Sequence, residues 1–297
     1  MRAKILGIMF CALLLGLVTS TVLAAPPAPD GGATAASATP ASPPPEAAAP
    51  VPTASLHPTA AAALRDLLAK EPRVLAVGEY HQTKANARIA SALKRFTRDL
   101  LPALRDAGAT DLVVETWITT GSCGEVEQKA VARVEKTTER PARTENEVLT
   151  LLRQAKQSGM QPRILQVACK DYQEIMVGSE VDFERLLRLT RDQLEAQIRV
   201  ALARPGSRMV VSYGGALHND LRPSPELAPY AYGPAVSGAV GGRYLEVDLY
   251  VPELIEKNPA IRAEPWYEVY RRAYRRGQVT LVRRSDVSFA LVFPRSR

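Results

Sequence analysis

The chain has 297 residues, 46% hydrophobic and 23% charged, with a net charge of +7. That length allows a domain with a sizeable core, and no segment repeats at a period of about 20–50 residues, which sets solenoids and propellers aside. The charges before His57 (Arg2, Lys4, Asp30 and Glu46) cancel, so the whole basic excess belongs to the chain from His57 onward.

Arg2 and Lys4 precede the apolar run "ILGIMFCALLLGLV", and Val22-Leu23-Ala24 offers a small-residue cleavage site. This order describes a secretory signal peptide over residues 1–24 and an exported protein, periplasmic or extracellular. The alternative is an uncleaved membrane anchor, since the run approaches spanning length. Cys11 lies inside the run without the Leu-small-small context of a lipoprotein cysteine, so no lipid anchor is expected. Residues 25–58 are Ala, Pro, Ser and Thr with almost nothing to bury, and read as a disordered tether. The folded domain is expected over 59–297.

"RVLAV" (Arg73–Val77) is the first predicted strand. A helical pattern follows over 85–108, with Ile89, Leu93, Phe96, Leu100 and Leu104 on one face, Pro102 as a kink and Gly108 as a stop. "DLVVE" (Asp111–Glu115) is the second strand, and the polar stretch Thr120–Arg143 an excursion or lid. Thr144 and Glu147 suggest a capping box for a helix ending at Gly159. "RILQVA" (Arg163–Ala168) is the third strand, followed by an amphipathic helix through "DFERLLRLTRDQLEAQIRVALAR". "RMVVSY" (Arg208–Tyr213) and "RYLEVDLYV" (Arg243–Val251) are the fourth and fifth strands. "YRRAYRRG" continues a helix with Trp266, Tyr270 and Tyr274 on one face and arginines on the other. "QVTLVRRSDVSFALVF" gives two strands around a Ser285-Asp286 turn. Strand–helix alternation implies right-handed crossovers: an α/β three-layer domain with a mostly parallel sheet and a C-terminal antiparallel strand pair. The strand–helix units are too few for an eightfold barrel.

The basic helix face reads first as solvated surface, with contact to an anionic envelope surface as an alternative; export argues against a nucleic-acid partner. Cys123 and Cys169 fall beyond the second and third strands. An oxidising compartment predicts a disulfide between them; two buried thiols or a pair of soft metal ligands are the alternatives.

In open parallel sheets, ligands bind beyond the carboxyl ends of the strands. Polar residues gather there: Glu79, Tyr80 and His81 after strand one, Glu115 ending strand two, Lys170, Asp171 and Tyr172 after strand three, and His218, Asn219 and Asp220 after strand four. His81 and His218 both follow Gly-x-x-His, in "GEYH" and "GALH". Neutral imidazole takes protons near pH 7 and also binds metal. Each residue has a structural alternative: a hydrogen-bonded histidine, a helix-dipole acid for Glu79, an ion pair for Glu115, turn aspartates for Asp171 and Asp220.

Gly-Glu-x-His after the first strand, the acid ending the second and the late Gly-x-x-His resemble one superfamily, which groups Tiki/TraB-type proteins, erythromycin esterases and ChaN-type haem-binding proteins. The resemblance covers roughly residues 70–250 and carries over Glu79, His81, Glu115 and His218. After the histidine the chain reads Gln82-Thr83 where the family often has Asp, Gly or another His. The resemblance implies three mechanisms. Tiki-like proteins are metal-dependent proteases, which would make His81, Glu115 and His218 ligands of a divalent metal such as Mn, Co or Zn. Esterase-like members use histidine as a base on water without requiring metal. ChaN-like members bind haem, for which Tyr80, Tyr172 and Tyr213 are candidate ligands.

The leading expectation is therefore an exported hydrolase of an ester or peptide, a small molecule or peptide being the partner. Glu79, His81, Glu115 and His218 would activate water, with or without metal. A haem carrier of an iron-uptake route is the alternative, and an inactive envelope interaction module the second.

Overall fold

The computed structural model describes residues 51–296 and, ahead of them, the backbone of a two-residue strand, Ile5–Leu6 (β1). The expected signal peptide and the expected tether up to residue 50 otherwise lie outside the described residues. The last part of the expected tether is not a tether: Thr53–His57 (β2) is an edge strand, antiparallel to Val279–Arg283 (β10). Pro52 and Pro58 flank this strand without interrupting its ladder, so only composition made it look continuous with the proline-rich stretch. His57 is consequently a domain residue, buried beside Ser55 Oγ at 2.8 Å and 3.7 Å from Asp66. Thr59 then caps helix α1 (Ala60–Leu68) by accepting the Ala62 N–H.

Val74–Glu79 (β3) is buried along its whole length and lies at the centre of the sheet. The helix after it begins at Ser91, which caps Lys94 N–H, later than periodicity alone suggests; Lys84–Asn86 is a separate 3-10 turn. It runs through α2 (Ala92–Arg95), a π-helical stretch Phe96–Leu100 and α3 (Leu101–Asp106). The wide turn sits where Pro102, which has no N–H to give, enters the next segment. β4 (Ala109–Thr120) is longer than the predicted strand. The excursion after it is mostly a helix, α4 (Gly124–Thr138), and α5 (Thr144–Gln157) follows. The capping box does not form, because Glu147 turns instead to Ser91 Oγ and Arg143.

β5 (Gln161–Ala168) leads directly into α6 (Cys169–Ile175), a small hairpin of β6 (Met176–Val177) and β7 (Glu180–Val181), and the long α7 (Phe183–Ala203), capped by Asp182. β8 (Met209–Gly215), α8 (Gly233–Ala239) and β9 (Tyr244–Tyr250) follow. Three short helices, α9 (Pro252–Ile255), α10 (Pro259–Ala263) and α11 (Pro265–Ala273), precede β10 and β11 (Ser288–Val292).

The main sheet runs β5-β4-β8-β3-β9-β11-β10-β2, parallel through β11, with β10 antiparallel to both of its neighbours, β11 and β2. Alternate residues of the central strands face opposite layers. Leu75, Val77, Val211, Tyr213 and Leu245 pack with α1, α2, α3 and α5, while Val74, Ala76, Val113 and Val210 pack with α4, α7 and α8. The chain leaves β3 toward β4 on one side and later returns on the other side as β9. That reversal of direction opens a crevice at the carboxyl end of β3, between β8 and β9.

Candidate functional site

The crevice is set by a glycine. A Cβ at residue 78 would lie 2.3 Å from Asp248 Oδ1 and 2.7 Å from Ala216 Cα, so only Gly78 lets the ends of β3, β8 and β9 approach this closely. The next residue, Glu79, is 3% exposed. A carboxylate buried there needs donors, and it has three. His81 Nδ1 lies 2.5 Å from Oε1, Arg140 Nη2 lies 3.3 Å from the same oxygen, and the Tyr213 hydroxyl donates to Oε2. Burial pushes the carboxyl up, but His81, Arg140 and Tyr213 outweigh it and hold Glu79 down at about 2.

An ionised Glu79 fixes the tautomer of His81: Nδ1 carries the hydrogen and Nε2 the lone pair. Arg140 Nη2 also comes within 2.5 Å of His81 Nδ1. Both are then donors, so this approach repels. Burial first, and the Arg140 charge second, lower the His81 pKa against the pull of Glu79 and Glu115. His81 is thus neutral at pH 7, and its Nε2 is buried with no hydrogen-bond partner among the described residues.

Glu115 and His218 form a second pair. Between Val114 and Trp117 the β4–β5 register slips, and Glu115 sits in that bulge. Its Oε2 accepts the Gly215 N–H at 2.6 Å, and Gly214 has no room for a Cβ against it. His218 donates Nδ1–H to the Tyr230 carbonyl at 2.7 Å, leaving Nε2 3.9 Å from Glu115 Oε1 without a hydrogen bond. All four predicted residues therefore cluster at the carboxyl ends of β3, β4 and β8. They are buried beneath the rim rather than standing over it: His81 is 2% and His218 1% exposed.

Among the described residues, no three His, Cys, Asp or Glu side chains are placed to hold a metal ion. The three candidate haem tyrosines are already engaged. Tyr213 binds Glu79, Tyr172 Oη lies 2.9 Å from Thr119 Oγ1, and Tyr80 Oη accepts from Asn258 at 2.5 Å. Tyr80 alone of them lines the crevice.

That crevice is a cavity of about 350 Å³ lined by Glu79 and Tyr80, by Ala216, Leu217 and Asp220 after β8, by Glu246, Asp248 and Tyr250 of β9, and by Trp266 and Arg284. Sequence reasoning missed Arg140, Glu246, Asp248 and Arg284. The signal for two of them was present: "LEVDLY" places acids two apart, on one face of an otherwise apolar strand. Arg284 pairs with both, to Asp248 at 2.7 Å. Arg140 lies just past α4, whose last turn ends on Glu139 in the left-handed region. Cys123 and Cys169 are disulfide-bonded, joining the start of α4 to the end of β5. Asp171 serves as a cap, accepting the Ala168 N–H at 2.7 Å.

Comparison with protein-family models, with curated proteins and with solved structures gave no match.

Proposed function

We propose that the chain is an exported hydrolase in which His81 is the general base that activates water on an ester or peptide. The observation that carries this reading is the Glu79–His81 dyad. A fully ionised carboxylate holds Nδ1–H, the imidazole is neutral, and the opposite nitrogen is unsatisfied. Such a nitrogen accepts a proton from water while the carboxylate stabilises the imidazolium that forms. Burial, and after it the Arg140 charge, keep the resting imidazole unprotonated. Glu115 anchors the end of β8 through Gly215, and its charge supports His81 as it takes the proton. The motif resemblance to the esterase branch of the Tiki and ChaN superfamily points the same way.

A panel of chromogenic esters and peptides tests the reading with His81→Asn. Asparagine keeps an N–H near the Nδ1 position for Glu79 but removes Nε2. Turnover is expected to fall by about 10²–10⁴-fold with the melting temperature little changed. Turnover that survives in His81→Asn rejects His81 as the base.

A further inference from the structure

Beyond Val114 the strand β4 outruns its neighbour β8. The two pair as far as Val114 opposite Tyr213, and β8 ends at Gly215. The chain then turns toward β3, where the Ala216 N–H donates to the Glu79 carbonyl at 3.2 Å. β4 nevertheless continues to Thr120, paired over Trp117–Thr120 with β5 on its far side. In a parallel ladder alternate residues turn both N–H and C=O to the same side. Alternate residues of Trp117–Thr120 therefore present their backbone groups where β8 is missing, and an edge of that kind accepts a further strand.

A strand is seated there. Ile5–Leu6 (β1) lies antiparallel to β4, with Ile5 opposite Ile118 and Leu6 opposite Trp117. β5 holds the other side at the same residues, so β1 takes the place that β8 vacates. Among the described residues no other strand pairs with β4 on that side beyond Val114. The pairing also has a direction. A chain running in the sense of β1 reaches the level of Glu115 within about two residues of the one opposite Trp117. Glu115 Oε1 lies 3.9 Å from His218 Nε2, and the Glu115 charge is felt at His81. Nε2 of each buried imidazole has no hydrogen-bond partner among the described residues. A strand added to this edge is thus led, carboxyl-terminal side first, toward the two unsatisfied nitrogens.

Resting on the hydrolase reading above, we infer that the substrate is an extended peptide, which adds to Trp117–Thr120 as an antiparallel strand and is cut on the carboxyl side of the paired residues. Ile5–Leu6 holds the same place in the uncleaved chain. The sequence marks residues 1–24 for removal on export, and their departure frees the edge. In the cut, His81 Nε2 takes a proton from water and the hydroxide adds to the peptide carbonyl carbon. The proton then passes to the leaving nitrogen as the C–N bond breaks. Backbone pairing discriminates little between side chains, so the edge selects an extended stretch without proline rather than one sequence.

The probe is a fluorescein-labelled synthetic peptide with the sequence of Ala3–Met9, AKILGIM. Anisotropy would follow its binding to the full chain carrying His81→Asn, with and without Ile5→Pro and Leu6→Pro, which clear the edge. Binding is expected to be at least about tenfold tighter once the prolines are present. Methylating the Ile and Leu nitrogens of the peptide should weaken it by at least about tenfold, the worth of one hydrogen bond. Hydrogen exchange at Trp117–Thr120 should slow in the complex. Binding that tolerates methylation, ignores the prolines, or protects the outer strand Thr53–His57 instead would overturn the inference. Methylation-sensitive binding at β4, with neither peptides nor chromogenic esters cleaved when His81 is intact, keeps the strand site and removes the hydrolase. Ester turnover that is lost in His81→Asn, without peptide binding, does the reverse. Neither signal removes both.

Discussion

At the residue scale, the site is an arrangement of hydrogen bonds around one carboxylate. Glu79 is held at about 2 against an ordinary value of 4.5. A carboxyl with a depressed pKa stabilises the fold fully above its unfolded value and loses that contribution as pH falls toward its folded one. The stability gap between wild type and Glu79→Gln, up to about 3 kcal/mol at neutral pH, is therefore expected to close between pH about 4.5 and about 2. Urea titrations across that range would measure it, and a gap that persists at pH 2 contradicts the assignment. His81 is shifted the other way in chemical sense: burial and Arg140 keep it neutral. If it is the base, the acid limb of the rate profile should have its midpoint below the usual 6.5 of imidazole, because the reactive form survives to lower pH. A midpoint above 6.5 would mean that Glu79 dominates instead. His218→Ala should behave differently from His81→Asn, since it takes the imidazole donor from the half-buried Tyr230 carbonyl. A loss of about 1–3 kcal/mol is expected, read as a lowered melting temperature.

At the element scale, the placement of strands was legible and the placement of partners was not. The order of strands and helices, the parallel sheet and the residues Glu79, His81, Glu115 and His218 follow from local signals: apolar runs, Gly-x-x-His, an acid in an apolar strand. Arg140 could not be read, because nothing near it in sequence says that the end of α4 returns to β3. Glu246 and Asp248 acquire meaning only once Arg284, from the next hairpin, lies between them. β2 was missed because its neighbours are prolines, and composition outweighed an alternating five-residue pattern. A chain starting at Val51 is thus expected to be more stable than one starting at Thr59 by about 2–4 kcal/mol, the scale of a lost edge ladder. Equal unfolding midpoints would show that the edge pairing contributes nothing. The disulfide acts on the same scale. It joins elements 46 residues apart in sequence, and loop-closure arithmetic gives it about 4 kcal/mol. Reduction should lower stability by that order, and should also loosen α4, the element that delivers Arg140. A proton titration of His81 by NMR that moves upward on reduction would register the loosening; an unmoved titration would place Arg140 outside the bridge's influence.

At the scale of the whole molecule, the sheet is assembled from pieces that are far apart in the chain. β3, at its centre, hydrogen-bonds to β8 on one side and β9 on the other, and the first edge strand, Thr53–His57, pairs with Val279–Arg283 near the other end. The consequence is one of timing. As the chain is made, the apolar strand that carries the dyad emerges early, and neither of its neighbours exists until most of the chain has followed. β4 and β5 can pair once both have emerged, but the central strand cannot, and such non-local pairing folds slowly because loop closure precedes any reward. β3 stays unpaired until β8 and β9 have followed, which leaves "VLAVGE" exposed to aggregation in the meantime. Refolding from urea is expected to be slow, with β3 and β9 amides becoming protected together, and a chain ending before Tyr244 should fail to fold at all.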